Sequence, residues 1–214
     1  MNFMFNLAGN NIPLIKEFDI DEDTCVAYGE AVGLLDDKIV RVDEAGIILG
    51  VAAEEHTGIH DELNARSDGA RIRVIISPDA VYGINNKEYV AVSGTETSVT
   101  VPSDGLSVNV TSGKVMLVKK GENSVNTEKI GTKRRITACT VSGDVATLTI
   151  EAGSVSSEGD VYVIIPETGA TLCGDENGTG VCFFRQSSRA TYTFVCAGSD
   201  GKTIYAKLNG SVFA

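Results

Sequence analysis

The 214-residue chain has no tryptophan, four prolines and two histidines. Two histidines leave little material for the acid–base, nucleophilic and metal chemistry that imidazole usually carries. No stretch approaches the roughly 20 apolar residues of a membrane-crossing helix, which excludes that class of membrane protein. Residues 1–11, MNFMFNLAGNN, have no basic start and no apolar run of signal-peptide length. The expectation is therefore synthesis and retention in a cytoplasm, with no membrane partner. The sequence also lacks a C-x-x-C pair, a G-x-S-x-G elbow and a Walker Gly-Lys-Ser loop. Positive charge is scarce, with 18 Lys and Arg against 29 Asp and Glu, a net charge of -11 and a pI near 4.6. Such a field repels phosphate backbones and argues against nucleic acid as a partner.

What is present is an ordinary globular composition, 43% hydrophobic and 22% charged, rich in Val, Thr, Ser and Gly. Apolar residues alternate or run in short bursts, and turn residues separate them. Arg71–Ile76 stops at Ser77-Pro78, and Thr97–Val101 stops at Pro102-Ser103-Asp104-Gly105. Leu106–Val110 and Lys114–Val118 flank Thr111-Ser112-Gly113. Arg135–Val141 and Val145–Ile150 flank Ser142-Gly143-Asp144, a hairpin signal. Asp160–Ile165, Val181–Phe184, Tyr192–Cys196 and Thr203–Leu208 read as further strands. One helical piece is placed at Ala52–Ala65. The predicted fold class is all-β, with a barrel or sandwich favoured by the short, evenly spaced strands.

Charge divides the chain unevenly. Residues 1–118 hold 19 acidic and 8 basic side chains, whereas residues 119–214 hold 10 of each. The shift falls at the polar stretch Lys119-Lys120-Gly121-Glu122-Asn123-Ser124. The domain reading is an extended arm over 1–16, a small β domain over 17–118, and a second, sandwich-like β domain over 119–214. The arm is uncharged up to Ile15 and carries Phe3, Phe5, Ile12 and Leu14. These four are the candidate partner-contact residues. Two arrangements stay open, a strand donated to a partner and a terminal strand laid on its own domain.

Residues 18–82 have a further rhythm. Tyr28-Gly29-Glu30-Ala31-Val32-Gly33-Leu34 precedes Asp36-Asp37-Lys38-Ile39-Val40-Arg41-Val42. Gly46-Ile47-Ile48-Leu49-Gly50-Val51-Ala52, Ala70–Ile76 and Ala80-Val81-Tyr82-Gly83 follow. This rhythm resembles the small capsid decoration, or head-stabilising, proteins of tailed bacteriophages. The resemblance implies a β-barrel-like or β-tulip fold on the outer capsid lattice of a virion. It also implies a homo-oligomer, with a trimer favoured, and an N-terminal arm touching the major capsid protein. The remaining hundred or so residues depart from the simplest members and suit outward display. Independently of the resemblance, Gly29, Gly33, Gly46 and Gly50 suit sharp turns or bulges between strands whose Val and Ile fill a narrow barrel.

Candidate chemistry is sparse. His56 and His60 share i, i+4 spacing, but Gly58 intervenes and acids flank the pair. Asp19, Asp21, Asp23 and Glu30 match positions 1, 3, 5 and 12 of a calcium loop, but Thr24 stands where that loop needs Gly. Both read as charged, solvated segments, and neither a metal nor a cofactor is expected. Cys25, Cys139, Cys173, Cys182 and Cys196 are odd in number. Cys173 and Cys182 flank a Gly-rich loop and read either as free thiols or as a cross-hairpin pair. Lys133-Arg134-Arg135 reads as a solvated basic turn or as a contact for an acidic partner, including a neighbouring subunit's acidic front half. No catalytic constellation emerges, so the expectation is a non-enzymatic structural protein. The alternative is a head-fibre or tail-tip adhesin whose back half binds a host-surface glycan or protein, with Tyr162, Phe183, Phe184, Tyr192 and Tyr205 as candidate surface.

Overall fold

The computed structural model describes residues 2–6, 12–42, 48–58, 70–103, 113–174, 182–183 and 193–209. All regular elements among them are strands, so the all-β reading holds. The first strand, β1 (Asn2–Asn6), lies antiparallel against β7 (Ala80–Asn85) with a bulge between Phe3 and Phe5. The first part of the arm is thus laid on its own chain as an edge strand. Lys16 already belongs to the next strand.

Strands β2 (Ile15–Ile20), β3 (Ala31–Leu35), β4 (Lys38–Arg41), β5 (Gly50–Ala52) and β6 (Arg71–Ile75) close into a barrel in the order β2-β4-β3-β5-β6. Alternation decides which side chains enter it. In β6, Ile72 and Val74 are buried while Arg71 and Arg73 face water. Ile20, Val26, Val32, Ile39, Leu49, Ile72 and Val74 fill the interior. Each such side chain contributes roughly 1.5–3 kcal/mol on burial. The β3–β4 hairpin turns on Asp36 and Asp37, both at positive φ (48° and 64°). That is the conformation of a type I′ turn, which Asp tolerates better than most residues. Gly50 is required by close approach, because a Cβ there would stand 2.3 Å from the Ile75 carbonyl oxygen.

After β7 the chain builds a second unit from β8 (Glu88–Val90), β9 (Ser93–Gly94), β10 (Ser98–Pro102), β11 (Lys114–Lys119), β12 (Lys133–Ser142), β13 (Val145–Ile150) and β14 (Val161–Ile165). Its sheet order is β8-β14-β11-β12-β13-β10-β9. The short run 88–94 pairs with β14 by its first half and with β10 by its second, so the sheet wraps around its own core. Val99, Val101, Leu117, Ile136, Leu148, Tyr162 and Ile164 form that core. The β12–β13 hairpin turns on Gly143-Asp144 with Gly143 at φ 57°, as the sequence signal requires.

The last strands, β15 (Thr171–Gly174), β16 (Cys182–Phe183), β17 (Thr193–Ser199) and β18 (Thr203–Asn209), return to β7 and complete a six-stranded sheet, β1-β7-β18-β17-β15-β16. One face of it packs on the barrel wall. Ala31, Ile48, Val51 and Ile75 meet Tyr82, Ile84, Leu172, Phe194 and Leu208 there. Tyr82 and Phe194 stack edge to face at 5.6 Å.

The seven-stranded unit is therefore an insertion, residues 88–165, between two strands of another sheet. The expected division at 118/119 falls inside it, since β11 ends at Lys119 and both its partners come later. The charge shift has a different origin. Residues 1–79 hold 16 acids and 6 bases, leaving 13 acids and 12 bases in residues 80–214. The acidity belongs to the barrel. Residues 52–58 form a strand end and the Val26–His56 bridge rather than the start of a helix. Residues 59–65 and Leu106–Val110 lie outside the described residues.

Candidate functional site

Two places among the described residues combine exposure or a cleft with a fixed frame. The first is the lip of the barrel where the arm enters. Leu14 N–H donates to Ser77 Oγ, and Ile76 N–H donates to the Leu14 carbonyl at 2.9 Å. The backbone is pinned, yet Ile12, Leu14 and Ile15 are 77%, 52% and 43% exposed. Leu14 and Ile15 are thus held outward on a fixed frame, with exposed Ile12 just before them, in an uncharged segment of an acidic unit. Of the four candidate arm residues, Ile12 and Leu14 belong to this lip. Phe3 and Phe5 lie in β1, about which only the backbone pairing is described.

The second is the loop end of the inserted unit. Asp160 is fully buried, and its carboxylate accepts from Gly121 N–H at 3.0 Å, Asn126 Nδ2 at 2.9 Å and Ser157 N–H at 3.1 Å. Burial alone would raise its pKa. Hydrogen bonds from Ser124, Asn126, Gly121 and Ser157 outweigh that and hold it below the ordinary carboxylate value. Asn126 also donates to the Tyr162 hydroxyl at 3.1 Å. Burial pushes that phenol upward.

Beside this network Arg134, 5% exposed, donates to the Glu96 and Ser154 carbonyls at 3.1 and 3.2 Å and to Ser156 Oγ at 2.7 Å. Its Nε stands 3.4 Å from Glu128 Oε1, while Glu128 Oε2 is buried without a hydrogen-bond partner. The loops fixed in this way, 119–123 and 157–161, border an open cleft of about 590 Å³.

This reassigns the basic cluster. Arg134 is neither solvated nor aimed at a partner; it ties strands and loops together from inside. The signal was available, because three successive cations at a strand start must put the middle one on the opposite face. The Asp160 network had no comparable signal, since its members are spread over 121–162.

The metal candidates do not assemble. Glu30 accepts from Ala27 N–H at 2.9 Å and from Arg41 at 3.0 Å. Asp19 pairs with Arg71 at 3.3 Å, and Asp21 with Lys38. His56 Nδ1 lies 2.6 Å from the Thr24 carbonyl, and His60 falls outside the described residues. Among the described residues no group of three or more His, Cys, Asp and Glu is placed to hold a metal. Cys173 is in register with Phe183 and Cys182 with Gly174, so the two cysteines are one step apart rather than opposite.

Of the aromatic candidates, Tyr162 is core. Tyr205 donates its hydroxyl to Asp200 at 3.1 Å. Phe183 lies in β16, about which only the backbone pairing is described. Phe184 and Tyr192 lie outside the described residues.

Comparison with known proteins adds no relative: no family model, no curated protein and no solved structure matches the chain.

Proposed function

We propose that the chain is a non-enzymatic structural protein of a phage head. In this reading it sits on the outer surface of the major capsid protein lattice, stabilises the shell as an oligomer, and displays the inserted unit outward. The observation that carries the reading is the barrel lip, where Ile12, Leu14 and Ile15 are exposed and the backbone at Leu14 and Ile15 is pinned. Exposed aliphatic side chains grouped in this way mark a contact surface. The decoration-protein rhythm of residues 18–82 supports it, because it falls largely on the closed barrel.

The test is binding of the full chain to shells of the major capsid protein. Ile12→Ser with Leu14→Ser changes only exposed side chains and leaves the strands in place. We expect loss of co-sedimentation with the shells at unchanged folding. Undiminished binding would remove the lip from the interface. Deleting residues 1–16 is a poorer test, because it also uncovers the edge of β7.

A second reading, an adhesin for a host-surface glycan or protein, draws on the cleft between loops 119–123 and 157–161. Its size suits a small ligand. Binding of the full chain to host cells, lost on Asn123→Ala with Glu158→Ala, would favour it.

A further inference from the structure

One face of the inserted unit is basic, and register puts its cations together. Lys114 lies opposite Arg135, and Met116 lies opposite Lys133. On the other side of β11, Lys114 faces Ile165, Met116 faces Val163, and Lys119 faces Val161. The bulge at Val118 keeps Lys119 on the face of Met116. The intervening pair, Val115 and Arg134, is buried on the opposite face.

Lys114, Lys119, Lys133 and Arg135 are all exposed, and none makes an ion pair with a described residue. Lys114 and Arg135 are like charges directly across a ladder, an arrangement that costs stability when nothing answers it. The acids around the face include exposed Asp200, next to the Gly201 turn that packs on Met116. Glu88 lies opposite Val163, and Glu151 accepts from the Arg135 backbone N–H at 3.3 Å. Glu122 and Glu158 lie at the cleft beyond Lys119. The apolar centre of the face is capped at one end by the turn at Gly201, whose Cα region packs on Met116 and Ile165. At the other end half-buried Val161 pairs with Val90, which is 53% exposed.

The complement is carried by the same chain. The parallel pairing of Asp19 with Lys38 brings two acidic turns to one end of the barrel. Asp21, paired with Lys38, and Glu22 and Asp23 are exposed on one, and Asp36 and Asp37 on the other, beside Leu35, which is 49% exposed, so acids outnumber the one lysine there.

We propose that the basic face of the inserted unit docks on the acidic turns of the barrel of a second copy of this chain. The two patches differ, so the contact is head to tail and either closes into a ring or runs on as a filament. The proposal does not rest on capsid binding and is tested on the chain alone.

The experiment is sedimentation velocity of the full chain at about 0.05 M and about 0.5 M salt, where screening lengths differ severalfold. We expect self-association at low salt that weakens at high salt. Lys114→Glu with Arg135→Glu weakens it by at least about tenfold. So does Asp36→Asn with Asp37→Asn, since Asn keeps the left-handed turn. Mixing the two variants leaves one intact contact and gives a heterodimer that grows no further. A chain that stays monomeric at low salt overturns the proposal without any variant. Association indifferent to salt or to both pairs of substitutions overturns it equally. Dependence on the lysine face but not on the barrel acids overturns the pairing of the two patches, because the face then docks on another surface of the second copy.

Discussion

In the barrel, the charged side chains of the β2–β6 wall stay in water, and Glu30, 9% exposed and held by Ala27 N–H and Arg41, is the buried exception among the described residues. Arg71 reaches Glu17 and Asp19, Arg73 reaches Glu54, and each of these five side chains is at least a third exposed. In the inserted unit, Arg134 and Asp160 are taken inside and satisfied there. The difference follows from how each closes. The barrel closes by strand pairing around an aliphatic core, so its surface charge is free to serve solubility and contact. The inserted unit closes partly through irregular segments, 120–127 and 151–160, whose backbone groups need partners that no strand supplies. Buried side-chain carboxylate, amide and guanidinium groups supply them.

The sharpest way to break this comparison is Arg134→Ala. It strands Glu128 and uncaps the Glu96 and Ser154 carbonyls, and we expect a loss of about 3–5 kcal/mol in chemical denaturation. Arg134→Lys should recover little, because one ammonium group cannot span the same partners. Asp160→Asn comes next, at about 2–3 kcal/mol, since one amide oxygen replaces a carboxylate that accepts from several donors.

Its pH signature has a definite sign. The folded pKa of Asp160 lies below the unfolded value, so its contribution is present above about pH 4 and fades as pH falls through the folded value. Acid titration monitored by hydrogen exchange should therefore loosen loops 120–127 and 151–160.

Gly50→Ala tests the barrel by its own rule, packing. The Ile75 carbonyl must move, and we expect a cost of about 1–3 kcal/mol by thermal melting. Smallest of all is Arg73→Ala, where an exposed ion pair contributes less than about 1 kcal/mol. If Arg73→Ala matched Arg134→Ala, the contrast between the two units would be false.

The sequence made much of this legible where local chemistry decides. Gly143-Asp144 specifies its hairpin, Ser77-Pro78 ends β6, and alternation in residues 71–75 marks which side enters the barrel. Long-range pairing was hidden. Nothing local says that β7 waits for β18, more than a hundred residues later, so residues 88–165 could not be recognised as an insertion. Lys119-Lys120-Gly121 looks like a linker because it is polar, yet it is a strand end tied to Asp160 through the Gly121 N–H. The arm was legible in composition but not in placement, since its charge-free residues suit a partner's sheet as well as their own. The basic face became visible only once register separated Lys133 and Arg135 from Arg134.

The proposed head-surface role is tested most directly by immunogold labelling of virus particles purified from cells that make this chain, using antibody against the chain. Gold spread over the head is the predicted result. Gold confined to the tail tip, or particles without label, would contradict it.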